Sequence, residues 1–179
     1  MRLFKMISLA SVIALGSTAA HAVDLLTVPT SGNDALPVAD GGFDWNGFYA
    51  GVYGLGQTSP VGGGQLGLGV DAGANARLEF VLVGGEVAVT GLAGGAGTSA
   101  YLQGLGKAGI ALTDNAILYG TAGAGFSVGN TAEADILAGA GLELAVADKV
   151  SLDARYLHGF PVSGANPKDR FSIGANFHF

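Results

Sequence analysis

No cysteine occurs among the 179 residues, which excludes a disulfide framework and thiolate metal sites. Charge is scarce as well. Asp, Glu, Lys and Arg make up 12% of the chain, about half the share of an ordinary soluble domain. Long apolar runs are missing: beyond the first residues no stretch approaches the roughly 20 apolar positions that a spanning helix needs. With eight basic residues against fourteen acidic ones, there is no excess of positive charge to hold nucleic acid. What the chain has in quantity is glycine, 32 residues of it, together with a mean hydropathy of +0.45. An apolar chain without spanning helices has one way left to satisfy every backbone group in lipid, a closed β-barrel.

The first residues carry a separate signal. Arg2 and Lys5 precede an apolar run, 6–15, that Gly16, Ser17 and Thr18 end early, and Ala20-His21-Ala22 has the small-x-small form of a peptidase site. Residues 1–22 therefore read as a secretory signal peptide cleaved after Ala22. Cleavage would leave 157 residues with six basic and fourteen acidic side chains, enough for one domain. Residues 23–44 carry Pro29, Pro37, four aspartates and a Thr30-Ser31-Gly32-Asn33-Asp34 cluster without a sustained period. They read as a flexible periplasmic segment.

From Trp45 to Phe179 the pattern changes to stretches of about ten residues in which polar and apolar side chains alternate, the mark of transmembrane strands. At the C-terminus Phe171, Ile173, Ala175, Phe177 and Phe179 share one face and Arg170, Ser172, Gly174, Asn176 and His178 the other, since successive strand side chains point oppositely. Strands are predicted over 47–56, 64–75, 79–90, 99–112, 116–127, 133–146, 150–158 and 168–179. The predicted fold is all-β, an eight-stranded antiparallel up-and-down transmembrane barrel. Tight turns at Ala76-Arg77, Thr113-Asp114-Asn115 and Ala147-Asp148-Lys149 would face the periplasm, and 57–63, 91–98, 128–132 and 159–167 would be short outer loops. The run Phe80-Val81-Leu82-Val83 suits a soluble β-sandwich equally well.

A lysine or arginine facing lipid near mid-membrane costs roughly 2–4 kcal/mol, so mid-strand charges are expected to point inward. Parity assigns Asp71, Glu86, Lys107, Glu143, Asp153, Arg155 and Arg170 to the lumen. In a barrel this size side chains fill the interior, so these groups are expected to pair as a plug, with a narrow water-lined path as the alternative. No catalytic, cofactor or metal site is expected. Gly67-x-Gly69-x-x-x-Gly73 and Gly120-x-x-Gly123-x-Gly125 resemble dinucleotide fingerprints but lack the strand-to-helix setting these require. His158, Ser163 and Asp169 are arranged around one predicted loop and read as solvated residues rather than a hydrolytic triad. His178 reads as a hydrogen-bonded lumen residue, with too few other donors nearby for a metal.

Four segments also carry a family likeness. Trp45-Asn46-Gly47-Phe48-Tyr49-Ala50-Gly51, Leu118-Tyr119-Gly120-Thr121-Ala122-Gly123, Gly139-Ala140-Gly141-Leu142-Glu143 with Ser151-Leu152-Asp153-Ala154-Arg155-Tyr156, and the ending Ile173-Gly174-Ala175-Asn176-Phe177-His178-Phe179 resemble the small porin-family, OmpA-like outer-membrane barrels of alphaproteobacteria. The resemblance implies eight strands, a role in envelope integrity with modest permeability left open, and no catalytic residues. It also implies that Phe171, Ile173, Phe177 and the terminal Phe179 serve as a signal for the barrel-assembly machinery. Outer-membrane lipids and lipopolysaccharide would surround such a barrel. Three functions follow in order: a structural envelope barrel, a narrow passive pore for small solutes, and an outer-membrane enzyme.

Overall fold

The computed structural model describes residues 42–60, 63–95, 97–128, 133–163 and 167–179. The signal-peptide reading of residues 1–22, and all of the 23–44 segment except its last three residues, lie outside the described residues. Eight strands follow one another: β1 (Gly47–Ser59), β2 (Gly63–Leu78), β3 (Val81–Gly94), β4 (Gly97–Thr113), β5 (Ala116–Val128), β6 (Ala134–Ala147), β7 (Val150–Ser163) and β8 (Lys168–His178). Each pairs antiparallel with the next, and β1 pairs with β8 to close the barrel. Closure leaves no unpaired edge. One end, here the turn end, carries the β2–β3, β4–β5 and β6–β7 turns and the C-terminus. The other is the loop end.

The strands run further toward the loop end than the alternation predicts. Residues 57–59, 91–94 and 159–163 were expected in loops, but Gln57 pairs with Gln65, Leu92 with Ser99 and Phe160 with Ile136. Glycine and proline in these stretches suggest turns, yet the ladder bonds of a neighbouring strand hold the backbone extended. A second correction falls at the turn end. The β2–β3 turn is Glu79-Phe80, not Ala76-Arg77, with Glu79 in the left-handed region at φ 55°. Its carbonyl accepts a hydrogen bond from Arg77 Nε at 2.8 Å.

Burial alternates along most of the strand length, with Tyr53 to Gly56 of β1 uniformly half-buried. In β8, Phe171, Ile173, Phe177 and Phe179 are exposed on the outward face while Arg170, Asn176 and His178 are buried. The outward faces of the other strands present Leu66, Leu68, Val70, Val87, Ile110, Phe126, Ile136 and Leu152, all exposed. Apolar side chains outside and polar ones inside invert the order of a water-soluble sandwich.

Phe43, placed by the sequence in the flexible segment, is buried. It packs with Trp45, Leu82, Ile117 and Tyr119 inside the turn end. The ordered barrel unit therefore takes in residues ahead of Trp45. Trp45 is 0% exposed, and its Nε1 donates to the Asp114 carbonyl at 3.0 Å across the β4–β5 turn.

Candidate functional site

The interior is built of layers. Above the Phe43–Trp45 cap lies a charged layer in which β3 and β7, on opposite walls, are tied together. Arg155 Nη1 and Nη2 donate to Glu86 Oε1 and Oε2 at 2.5 and 2.9 Å. Arg155 Nη2 is also 3.2 Å from Asp153 Oδ1, and Nε donates to the Tyr119 hydroxyl at 2.9 Å. That hydroxyl in turn donates to Asp153. Beside it Lys107 Nζ donates to Glu143 Oε2 at 3.1 Å and sits 4.9 and 4.8 Å from the ring centres of Tyr49 and Tyr119. The other Glu143 oxygen accepts from Ser151 at 2.6 Å and from Asn176 at 3.0 Å.

Toward the loop end Leu92, Tyr101, Leu105, Leu137 and Leu157 form an apolar cluster, and a second charged layer follows. There Lys168 Nζ lies 2.6 Å from Glu133 and 3.1 Å from Asp135. Arg170 donates to Gln57 at 2.6 Å and stacks 3.6 Å above the Tyr101 ring. The seven charges assigned to the lumen by parity thus all face inward, but not as one network. Arg170 belongs to the upper layer, and Asp71 has no ion-pair partner among the described residues. Lys168 is the charge that the parity reading passed over, because it opens its strand; its partners Asp135 and Glu133 share the inward parity of Glu143. Between the layers lies a cavity of about 10 Å³, bounded by Asp71, Asp153, Arg155 and Arg170, with room for about one water molecule.

Glycine on the inner wall has a definite use. Tyr49, Gly73 and Glu86 occupy one row across β1, β2 and β3, and the tyrosine ring lies over the glycine to reach the carboxylate at 2.8 Å. Tyr53, Gly69 and Thr90 repeat the arrangement one level up, with 2.6 Å between the hydroxyls. Tyr119 lies over Gly141, and Tyr101 over Gly125, to reach Asp153 and Asp135. A Cβ at Gly73 would stand 2.5 Å from the Tyr49 ring, whereas one at the outward Gly106 would meet nothing closer than 3.7 Å. Gly73→Ala is expected to lower stability by about 1–3 kcal/mol, the usual cost of overpacking, and Gly106→Ala to change little. Urea midpoints of the refolded variants compare the two.

His158 and Asp169 are not loop residues. They face each other across β7 and β8 on the outward side, with His158 Nδ1 2.8 Å from Asp169 Oδ1. Tyr156 donates to the same oxygen at 2.6 Å. Ser163 is five residues further along β7, about 16 Å at strand rise, so the three predicted neighbours are not assembled as a triad. His178 is buried, 3.0 Å from the Ser151 hydroxyl and packed against Phe43 and Trp45. Among the described residues no group of His, Asp and Glu is arranged to hold a metal.

The fold defines a class: small closed eight-stranded antiparallel barrels. Solved structures share it. The attachment invasion locus protein of Yersinia pestis, solved with the heparin analogue sucrose octasulfate, superimposes with a TM-score of 0.56 at 16% identity, over 74% of this chain and 97% of that one. Neisserial surface protein A gives 0.52 at 14%, over 74% and 97%. The N-terminal barrel domain of Pseudomonas aeruginosa OprF gives 0.52 at 11%, over 72% and 97%. Likeness at such identities is likeness of fold. No protein-family model matches the chain, and no curated protein matches it in sequence.

Proposed function

We propose that the chain is an integral outer-membrane barrel that contributes to envelope structure without catalysing a reaction, and that its interior is closed. The observation that carries this reading is an apolar outer surface on a barrel without edges. Only lipid makes such a surface favourable over its whole circumference. Every strand, from the 11 residues of β8 to the 17 of β4, meets the 9–11 residues that a tilted strand needs to cross. Short turns then lie on the periplasmic side and the loop end faces outward. The likeness to the porin-family barrels of alphaproteobacteria belongs to this proposal. So do export by a cleaved signal, surroundings of lipopolysaccharide, and recognition of the Phe171, Ile173, Phe177 and Phe179 face by the barrel-assembly machinery.

Closure is favoured over a solute path because two charged layers and a leucine cluster stand across the bore, and the cavity bounded by Asp71, Asp153, Arg155 and Arg170 is about 10 Å³. In planar bilayers the refolded protein is expected to give no stable unitary conductance, and a reproducible conductance step would replace this reading with the passive pore. Membrane location is tested by gel mobility of membrane-extracted protein, because a folded barrel resists detergent until boiled. Mobility that is the same before and after boiling would count against it.

A further inference from the structure

At every described outward position of the strands the residue is Gly, Ala, Thr, Val, Leu, Ile or Phe, with three exceptions: Tyr156, His158 and Asp169. Tyr156 and His158 are each bonded to Asp169. They also lie at a definite height. Asp169 is eight residues along β8 from Phe177, about 26 Å at strand rise and about 20 Å in height at the usual tilt of 35–45°. With Phe177 and Phe179 marking the lower edge of the apolar band, the cluster falls at the outer headgroup boundary.

Beside it the surface is hollow. Gly54 and Gly56 of β1 present no side chain, while Leu66 and Leu68 of β2 rise on one side and Phe171 and Ile173 of β8 on the other. Two hollows of about 540 and 760 Å³ adjoin along this line and share Gly54, Leu68 and Ile173. From Val52 to Gly56 the groove runs about 13 Å, close to half of a hydrocarbon core of about 30 Å. Asp169 lies one outward row above its upper end, about 7 Å along the strand, since Gly56 pairs with Phe171 and the next outward pair is Thr58 with Asp169. The barrel does not require glycine there: a Cβ at Gly54 or Gly56 would come no closer than 3.8 Å to anything.

We propose that this groove holds one acyl chain of an outer-leaflet lipid whose head-proximal end carries hydroxyl or amide donors, which His158 and Asp169 receive. The chemistry follows from what the cluster has left to offer. A carboxylate only accepts, so His158 Nδ1 donates to Asp169 Oδ1, and a ring protonated on Nδ1 alone keeps an accepting lone pair on Nε2. Both bonds to Asp169 fall on Oδ1, and Oδ2 is a second acceptor. A phosphate or plain ester brings no proton to such a pair, and a phosphate meets the carboxylate as a like charge. A hydroxyl or amide N–H satisfies both acceptors. The inference rests on the membrane reading above and adds a lipid chemistry to it.

The test uses the full chain refolded into dimyristoylphosphatidylcholine nanodiscs. N-(3-hydroxymyristoyl)glucosamine and methyl myristate, a similar chain without donors, compete for it, and native mass spectrometry reads retention. The wild type is expected to retain one molecule of the glucosamine amide at least tenfold over the ester. Gly54→Val with Gly56→Val, which fills the groove at ordinary contact distance, is expected to lose that retention tenfold or more. Asp169→Asn is expected to remove the preference between the two probes while the chain is still held. Equal retention by wild type and the filled-groove variant overturns the proposal, and so does a doubled mass abolished by the same filling, which would make the occupant a second copy. Failure to insert, read by heat-modifiable mobility, overturns the membrane reading along with it, whereas insertion without preference overturns the lipid site alone.

Discussion

Arg155→Met is expected to lower the stability of the folded barrel by about 3–5 kcal/mol, the cost of leaving buried charges without their partner. Arg155 is the sole cation within ion-pair distance of Glu86 and Asp153 among the described residues, and it also holds the Tyr119 hydroxyl. Methionine fills much of the same volume, so the loss is electrostatic rather than a cavity. The control is Arg155→Met combined with Glu86→Leu, which removes the carboxylate together with the guanidinium. Replacing a buried pair by apolar groups is often close to neutral, so the double variant is expected to recover part of the loss, with Asp153 and the Tyr49 hydroxyl, which loses Glu86 as its acceptor, accounting for the remainder. Urea unfolding of the four proteins gives the coupling energy. Additive effects would mean that Glu86 and Arg155 do not act as a pair.

Trp45→Ala is the second large effect, about 3–5 kcal/mol for a fully buried tryptophan. Its ring is 4.5 Å from Phe43 and 5.8 Å from His178, centre to centre, so truncation opens the turn end and uncovers His178 and the Glu143 layer beneath. Trp45→Phe keeps most of the packing and loses only the bond to Asp114, worth about 1 kcal/mol. Trp45 is also the single tryptophan of the chain, so its emission reports on this cap alone. In the wild type the emission is expected to move to longer wavelength in the same urea range in which the barrel circular dichroism is lost. An earlier fluorescence change would show that the cap opens independently of the barrel.

Much of the architecture is legible in the alternation of residues. A face such as Phe171, Ile173, Ala175 and Phe177 against Arg170, Ser172, Gly174 and Asn176 admits one orientation in lipid, and eight such stretches close a barrel. The strand ends were less legible. Gly91, Gly94 and Pro161 favour turns locally, but the neighbouring strand supplies hydrogen bonds that a local pattern does not report. His158 and Asp169 were read as loop residues for the same reason. Their outward parity with Tyr156 and Phe160 continues the period of β7, and it was Pro161, Gly164 and Pro167 that concealed it.

The tyrosine rows were beyond sequence reading for a different reason. Tyr49, Gly73 and Glu86 are neighbours only in one strand register, and a register is a property of pairing between strands. Shifting one strand by a single residue would turn every side chain to the other face and place a different residue under each ring. Phe43 likewise shows no period, and its burial depends on the turns that surround it.

By itself the sequence determined the class of fold, the number of strands and the side of the wall on which the seven mid-strand charges fall. These follow from a period of two and from the cost of charge on an apolar surface, both local properties. The tertiary structure decided which charges meet, that glycines make room for tyrosines, that the interior is filled in layers, and that Tyr156, His158 and Asp169 gather at the head of a groove. Those depend on register and closure, which bring together residues 8 to 113 positions apart and which arise only when all eight strands pair at once.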